Sequence, residues 1–189
     1  MLANVRGDFN LMKKLTILIA CFSALCLTAC GGGGGGSTTG GGGGGTVFNP
    51  VPFAGTWTGA WNNTTFSTTG PASMAITIDS TAKTGTMSMD LDGNVFGGPN
   101  PPADNLAGPY NDTSMTVTGT SPTFGNLSFT VDKNGNFTGG STTVPGGFVS
   151  SITYTGTINS TTIALNYTIV FTDPANGTAN GTMNLTKSP

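Results

Sequence analysis

Histidine and glutamate are absent from this chain of 189 residues, and arginine occurs once, as Arg6. Without an imidazole, a Ser-His-Asp or Cys-His nucleophile lacks its usual activating base. The abundant Ser and Thr hydroxyls then read as strand surface, which suits the β-branched Thr. Cysteine is confined to Cys21, Cys26 and Cys30. Everything after residue 30 therefore has no thiol for a disulfide, a redox pair or a thiolate metal site. Charge is scarce too, at 7% of residues against roughly a quarter in average domains. Beyond residue 30 the cations are Lys83, Lys133 and Lys187, facing Asp79, Asp90, Asp92, Asp104, Asp112, Asp132 and Asp173. So few lysines offer no footprint for nucleic acid and no polybasic patch for anionic lipid. No catalysis, cofactor or metal is expected.

The nearest approaches to a metal site are better explained otherwise. Asp90-Leu91-Asp92-Gly93-Asn94 and Asp132-Lys133-Asn134-Gly135-Asn136 resemble calcium loops, but their Gly arrives two residues early and no Glu closes them. Turn chemistry accounts for both. Met87 and Met89 share the apolar face of one strand, where methionine serves as core filling.

What is present begins at the N-terminus. Met12-Lys13-Lys14 precedes the apolar run Leu15 to Ala24, followed by Leu25-Cys26-Leu27-Thr28-Ala29-Cys30. A basic start, a short apolar stretch and small residues before a cut make an export signal. The run of about 15 apolar residues is short for a span needing roughly 20. Leu27-Thr28-Ala29-Cys30 resembles the lipobox of bacterial lipoproteins. That resemblance implies lipid transfer to the Cys30 thiol, cleavage before Cys30, and a membrane as partner through that anchor. Gly31 stands where Asp would imply inner-membrane retention in Gram-negative lipoproteins, so the resemblance implies the outer membrane. Residues 1–11 are expected to be an upstream extension, with Met12 as an alternative start of translation, and 12–29 are expected to form the signal peptide.

Two glycine runs, Gly31–Gly36 and Gly40–Gly45, cannot bury apolar surface. Residues 30–52 are expected to be a flexible tether reaching about 25 Å.

From Phe53 to Ser188 the hydrophobic period is two. Met74, Ile76 and Ile78 form one row; Met87, Met89 and Leu91 a second; Leu127, Phe129 and Val131 a third. Ile152, Tyr154, Gly156 and Ile158 follow, then Ile163 to Phe171, then Met183 with Leu185. Each reads as a strand with one buried face. Turns are expected at Asp92-Gly93-Asn94, Asn134-Gly135-Asn136, Asn159-Ser160 and Asn176-Gly177. The expected fold is an all-β antiparallel up-and-down meander of about eight or nine strands, closed as a barrel. A two-sheet sandwich is the alternative. Gly93 to Asp112 reads as one long loop.

Gly55-Thr56-Trp57, at the opening strand of such a domain, resembles the start of the lipocalin and wider calycin barrels. The resemblance implies that a basic residue near the last strand packs across the tryptophan, and Lys187 is the candidate. It also implies a ligand pocket.

Two functions fit. The first is a structural or surface-display lipoprotein with a solidly packed barrel. The second is a binding module for a small neutral hydrophobic ligand, lined by Trp57, Met74, Ile76, Met87, Met89, Phe129, Tyr154 and Tyr167. Inward Gly59 and Gly156 are expected to leave space, and all seven aspartates are expected outside the core. The ligand would enter beside the Gly93 to Asp112 loop.

Overall fold

The computed structural model describes residues 47–95 and 99–189. The export signal, Cys30 and the glycine runs lie outside the described residues. Among the described residues no helix is long and apolar enough to cross a membrane.

Alternating apolar residues form ten strands in chain order: β1 (Gly55–Asn63), β2 (Thr68–Asp79), β3 (Thr84–Leu91), β4 (Asp104–Pro109), β5 (Ser114–Ser121), β6 (Gly125–Asp132), β7 (Asn136–Ser141), β8 (Val149–Ile158), β9 (Thr162–Phe171) and β10 (Thr178–Lys187). Each pairs antiparallel with the next, and β1 pairs with both β2 and β10. The meander is thus a closed barrel, which removes the exposed edge an open sheet would carry. The sandwich alternative falls with that closure. The count is ten because β4 lies inside the stretch expected to be one long loop. Asp-Asn-Leu-Ala-Gly-Pro has poor strand propensity, and Leu106 is its one large buried residue. The connection from β3 to β4 shrinks to residues 92–103, and Gly93 opens that connection instead of forming a tight hairpin.

Asn, Asp and Ser at the strand ends make the turns, their side-chain oxygens accepting amides two to four residues on. Asp79 Oδ1 accepts from Thr81 and Ala82, at 2.9 Å each. Asn159 Oδ1 accepts from Thr161 and Thr162, and Asp132 Oδ1 from Asn134 and Asn136. Asp132 Oδ2 also accepts from Asn136 Nδ2 at 2.7 Å, so this carboxylate is consumed by its turn. Those bonds, Asn136 first, hold its pKa below the usual carboxylate value.

Reading strand directions around the ring gives the barrel two unlike ends. One is shut. The segment before β1 folds across it, with Phe48 and Phe53 buried and Phe48 stacked edge-on to Tyr110. Packing therefore reaches back to Phe48, into the stretch expected to be tether. Trp57 is fully buried here, and its Nε1 donates to the Phe53 carbonyl at 3.0 Å. Lys187 Nζ sits 5.5 Å from the Trp57 ring centre and donates to the Pro52 carbonyl at 2.9 Å. The cross-packing implied by Gly55-Thr56-Trp57 is present.

The inward glycines do not leave space. A methyl group built on Gly59 or Gly156 would run into the carbonyl of Asn184 or Ala164 on the neighbouring strand. They let the neighbouring backbones approach closely, a role glycine often takes in small barrels. A methyl group on Gly181 would likewise strike the Asn62 carbonyl, and the Tyr167 ring occupies the place its side chain would take.

Candidate ligand-binding cavity

Among the described residues the other end of the barrel is open. It is framed by the β1–β2 turn, the β3–β4 connection, the β5–β6 turn, the β7–β8 loop and the β9–β10 loop. Between them lies a cavity of about 400 Å³, lined by Trp61, Asn63, Phe66, Thr68, Leu91, Asn94, Val95, Phe124, Phe148, Ile152, Tyr154, Tyr167, Ile169, Phe171 and Met183. This volume falls in the range of small-molecule sites, and the walls have the expected mix of aromatic and apolar surface with few polar groups.

Local hydrogen bonds fix the walls. Trp61 faces inward near the end of β1, and its Nε1 donates to the Asp92 carbonyl at 2.8 Å. Asn63 Oδ1 accepts from Thr65 and Phe66, at 3.0 Å each, which turns the chain and projects Phe66 at the rim. The Phe148 carbonyl accepts from the Thr172 amide at 3.0 Å. Phe66 and Phe148 are 57% and 58% exposed, yet both stack on Phe171, with ring centres 6.1 and 5.2 Å away. Three phenylalanines thus make an apolar lip.

Deeper in, Phe137, Phe129, Tyr154 and Tyr167 form a chain of rings at centre-to-centre steps of 5.3, 5.4 and 6.0 Å. Burial raises the Tyr154 pKa, helped by the Tyr167 hydroxyl and then by Asp104. Burial also pushes Tyr167 up to about 12, against the opposing hydrogen bond from Asn63. Both phenols stay neutral, as polar points on an apolar wall.

The eight residues expected around a cavity divide. Tyr154 and Tyr167 line it. Trp57, Met74, Ile76, Met87, Met89 and Phe129 are buried in the packed part of the barrel instead. Alternation marks which residues face inward, but it carries no information on height within the barrel. The lip residues Phe66 and Phe148 escaped that reading because they stand in turns. Their trace in the sequence is a large aromatic where Gly, Asn and Ser usually sit.

One expectation fails outright. Asp104 is inside, 3% exposed, on the inward row of β4 with Leu106. With β4 unseen, its alternation was unseen also. The Ser121 hydroxyl bonds its carboxylate, while Oδ1 is buried with no partner among the described residues. Burial raises its pKa, and Asp90 adds to that.

The described residues contain no group of three His, Cys, Asp or Glu side chains able to hold a metal ion. Comparison with protein-family models, curated proteins and solved structures returns no match.

Proposed function

We propose that this is a lipid-anchored cell-envelope protein whose barrel binds a small, largely apolar or aromatic molecule in the open-end cavity. The observation that carries the reading is the contrast between the two ends. One is packed shut around Trp57, while the other keeps about 400 Å³ behind a lip of three phenylalanines. A barrel serving only as a structural or display element gains nothing from such a void, because unfilled core volume costs stability. Anchoring through Cys30 rests on the resemblance of Leu27-Thr28-Ala29-Cys30 to a lipobox. Outer-membrane placement rests on Gly31.

An environment-sensitive apolar dye titrated into the protein should give saturable emission at micromolar concentration. Ile169→Trp, which fills the cavity from its wall, should abolish that signal while leaving the melting temperature within a few degrees. Saturable binding that survives Ile169→Trp unchanged would place the dye elsewhere and sink the cavity as the site. For the anchor, Cys30→Ser should lose palmitate incorporation, and normal labelling of that variant would overturn it.

A further inference from the structure

Three features of the open end concern the charge of whatever enters it, and the inference drawn from them rests on the binding reading above. The first is the lining. Trp61, Phe124, Phe148, Tyr154, Tyr167 and Phe171 present ring surface to a single cavity, and no cationic side chain is among the lining residues. Aromatic faces carry negative potential and attract organic cations, more strongly once water is excluded. The second is Asp104. It does not line the cavity itself, but its charge reaches Tyr154, which does. Its Oδ1 has no partner among the described residues, and none of the described cations is among the groups that shift its pKa.

The third feature is the layout of charge along the barrel axis. Strand directions put Lys83, Lys133 and Lys187 all at the closed end, together with Asp79, Asp112 and Asp132. Lys83 and Lys187 are further occupied there, each lying over a ring, Tyr110 and Trp57. At the open end or close to it stand Asp90, Asp92, Asp104 and Asp173. The described part of the mouth therefore carries acids without a lysine, and a cleft lined by one sign of charge concentrates ligands of the other.

We propose that the cavity selects an organic cation: a small molecule with an apolar or aromatic body and one ammonium group. The body fills the space between Ile152, Ile169 and Met183. The ammonium lies against the rings of Tyr154 and Tyr167, within the field of Asp104. Tyr154 lines the cavity, and the lone pair of its hydroxyl oxygen suits an ammonium N–H. Anions are disfavoured, since no cationic side chain is among the lining residues to repay their desolvation.

Calorimetric titration of the full chain with three probes of one shape tests this: 2-naphthylmethylammonium, 2-naphthylmethanol and 2-naphthoate. The ammonium should bind about fivefold or more tighter than the alcohol, as cation–π and carboxylate attraction predict, and the naphthoate should show no binding. Asp104→Asn keeps the shape and removes the charge. It should cut the ammonium's advantage over the alcohol without changing affinity for the alcohol, which also shows that the variant is folded. Equal affinity for ammonium and alcohol in the native chain overturns cation selection and leaves the apolar site standing. An advantage that survives Asp104→Asn intact overturns the role of Asp104. No binding of any of the three by folded protein overturns both this inference and the binding reading beneath it.

Discussion

Burial lifts the Asp104 pKa above its ordinary value, so the folded chain holds this proton more tightly than the unfolded chain does. Between the usual carboxylate value of 3.8 and the raised one, the unfolded state binds fewer protons than the native state. Stability must therefore fall as pH rises through that window, then level off. Asp104→Asn removes the penalty. It should raise the melting temperature by a few degrees at neutral pH and by less at about pH 3, where both states carry the proton. An equal gain at both pH values would mean that the carboxylate is not strained by burial. None of this was legible in the sequence, because Asp104 stands among Pro, Ala, Asn and Gly with one large apolar neighbour, Leu106, to mark the strand. Tyr154 and Tyr167 were legible as inward residues, since both sit in long, unbroken alternating rows.

At the scale of strands, the barrel is not equally strong around its circumference. β8 and β9 pair from Ile158↔Ile163 to Val149↔Phe171. β4 and β5 are joined through Ala107↔Thr118 and the bridge Tyr110↔Met115. Glycines sit at that seam for a reason: a methyl group on Gly108 would strike the Thr116 carbonyl, and one on Gly119 the Asn105 carbonyl. The strands pass too closely there for side chains, and the ladder is short. Backbone amides of β4 and of the facing edge of β5 should exchange about tenfold or more faster than those of β8 and β9, as expected where few ladder bonds protect the chain. Uniform protection around the ring would refute this weak seam. The seam also explains which strands the sequence reveals. Rows of three or more large apolar residues announce β2, β3, β6, β8 and β9, whereas β4 is held by its neighbours more than by its own composition.

The whole molecule closes where β1 meets β10, and Trp57 sits in that joint. It pairs across to Lys187 and to Met74, anchors its indole on Phe53, and is covered by the lysine stem. Removing a buried Trp typically costs about 3–5 kcal/mol, comparable to the entire stability of a small domain. Trp57→Ala should therefore unfold the barrel or nearly so. Thr58→Ala, one residue on and facing out, should cost about 0.5 kcal/mol or less. Denaturant titration of the two variants distinguishes them, and equally mild effects would show that the closed end does not hold the ring together. Closure itself was read correctly from the sequence, because many strands linked by short turns leave a meander little else to do with its two edges.

That joint makes the strand order a circle with no natural first member. Nine of the ten pairings join neighbours along the chain, and the tenth, β1 with β10, joins the first and last strands of the barrel. The Lys187 to Pro52 bond spans 135 residues, and the Ser188 amide returns to the Thr56 carbonyl at 2.8 Å. Start and finish are thus already side by side. The covalent break could lie in another loop, for instance at Gly146 and Gly147, where an added methyl would touch nothing, and the same ring would be spelled out from β8 round to β7. Only the hardest step of assembly would move. The distant encounter of β1 with β10 would become a short local turn, and β7 would have to find β8 across the length of the chain, at a cost that grows only slowly with loop length.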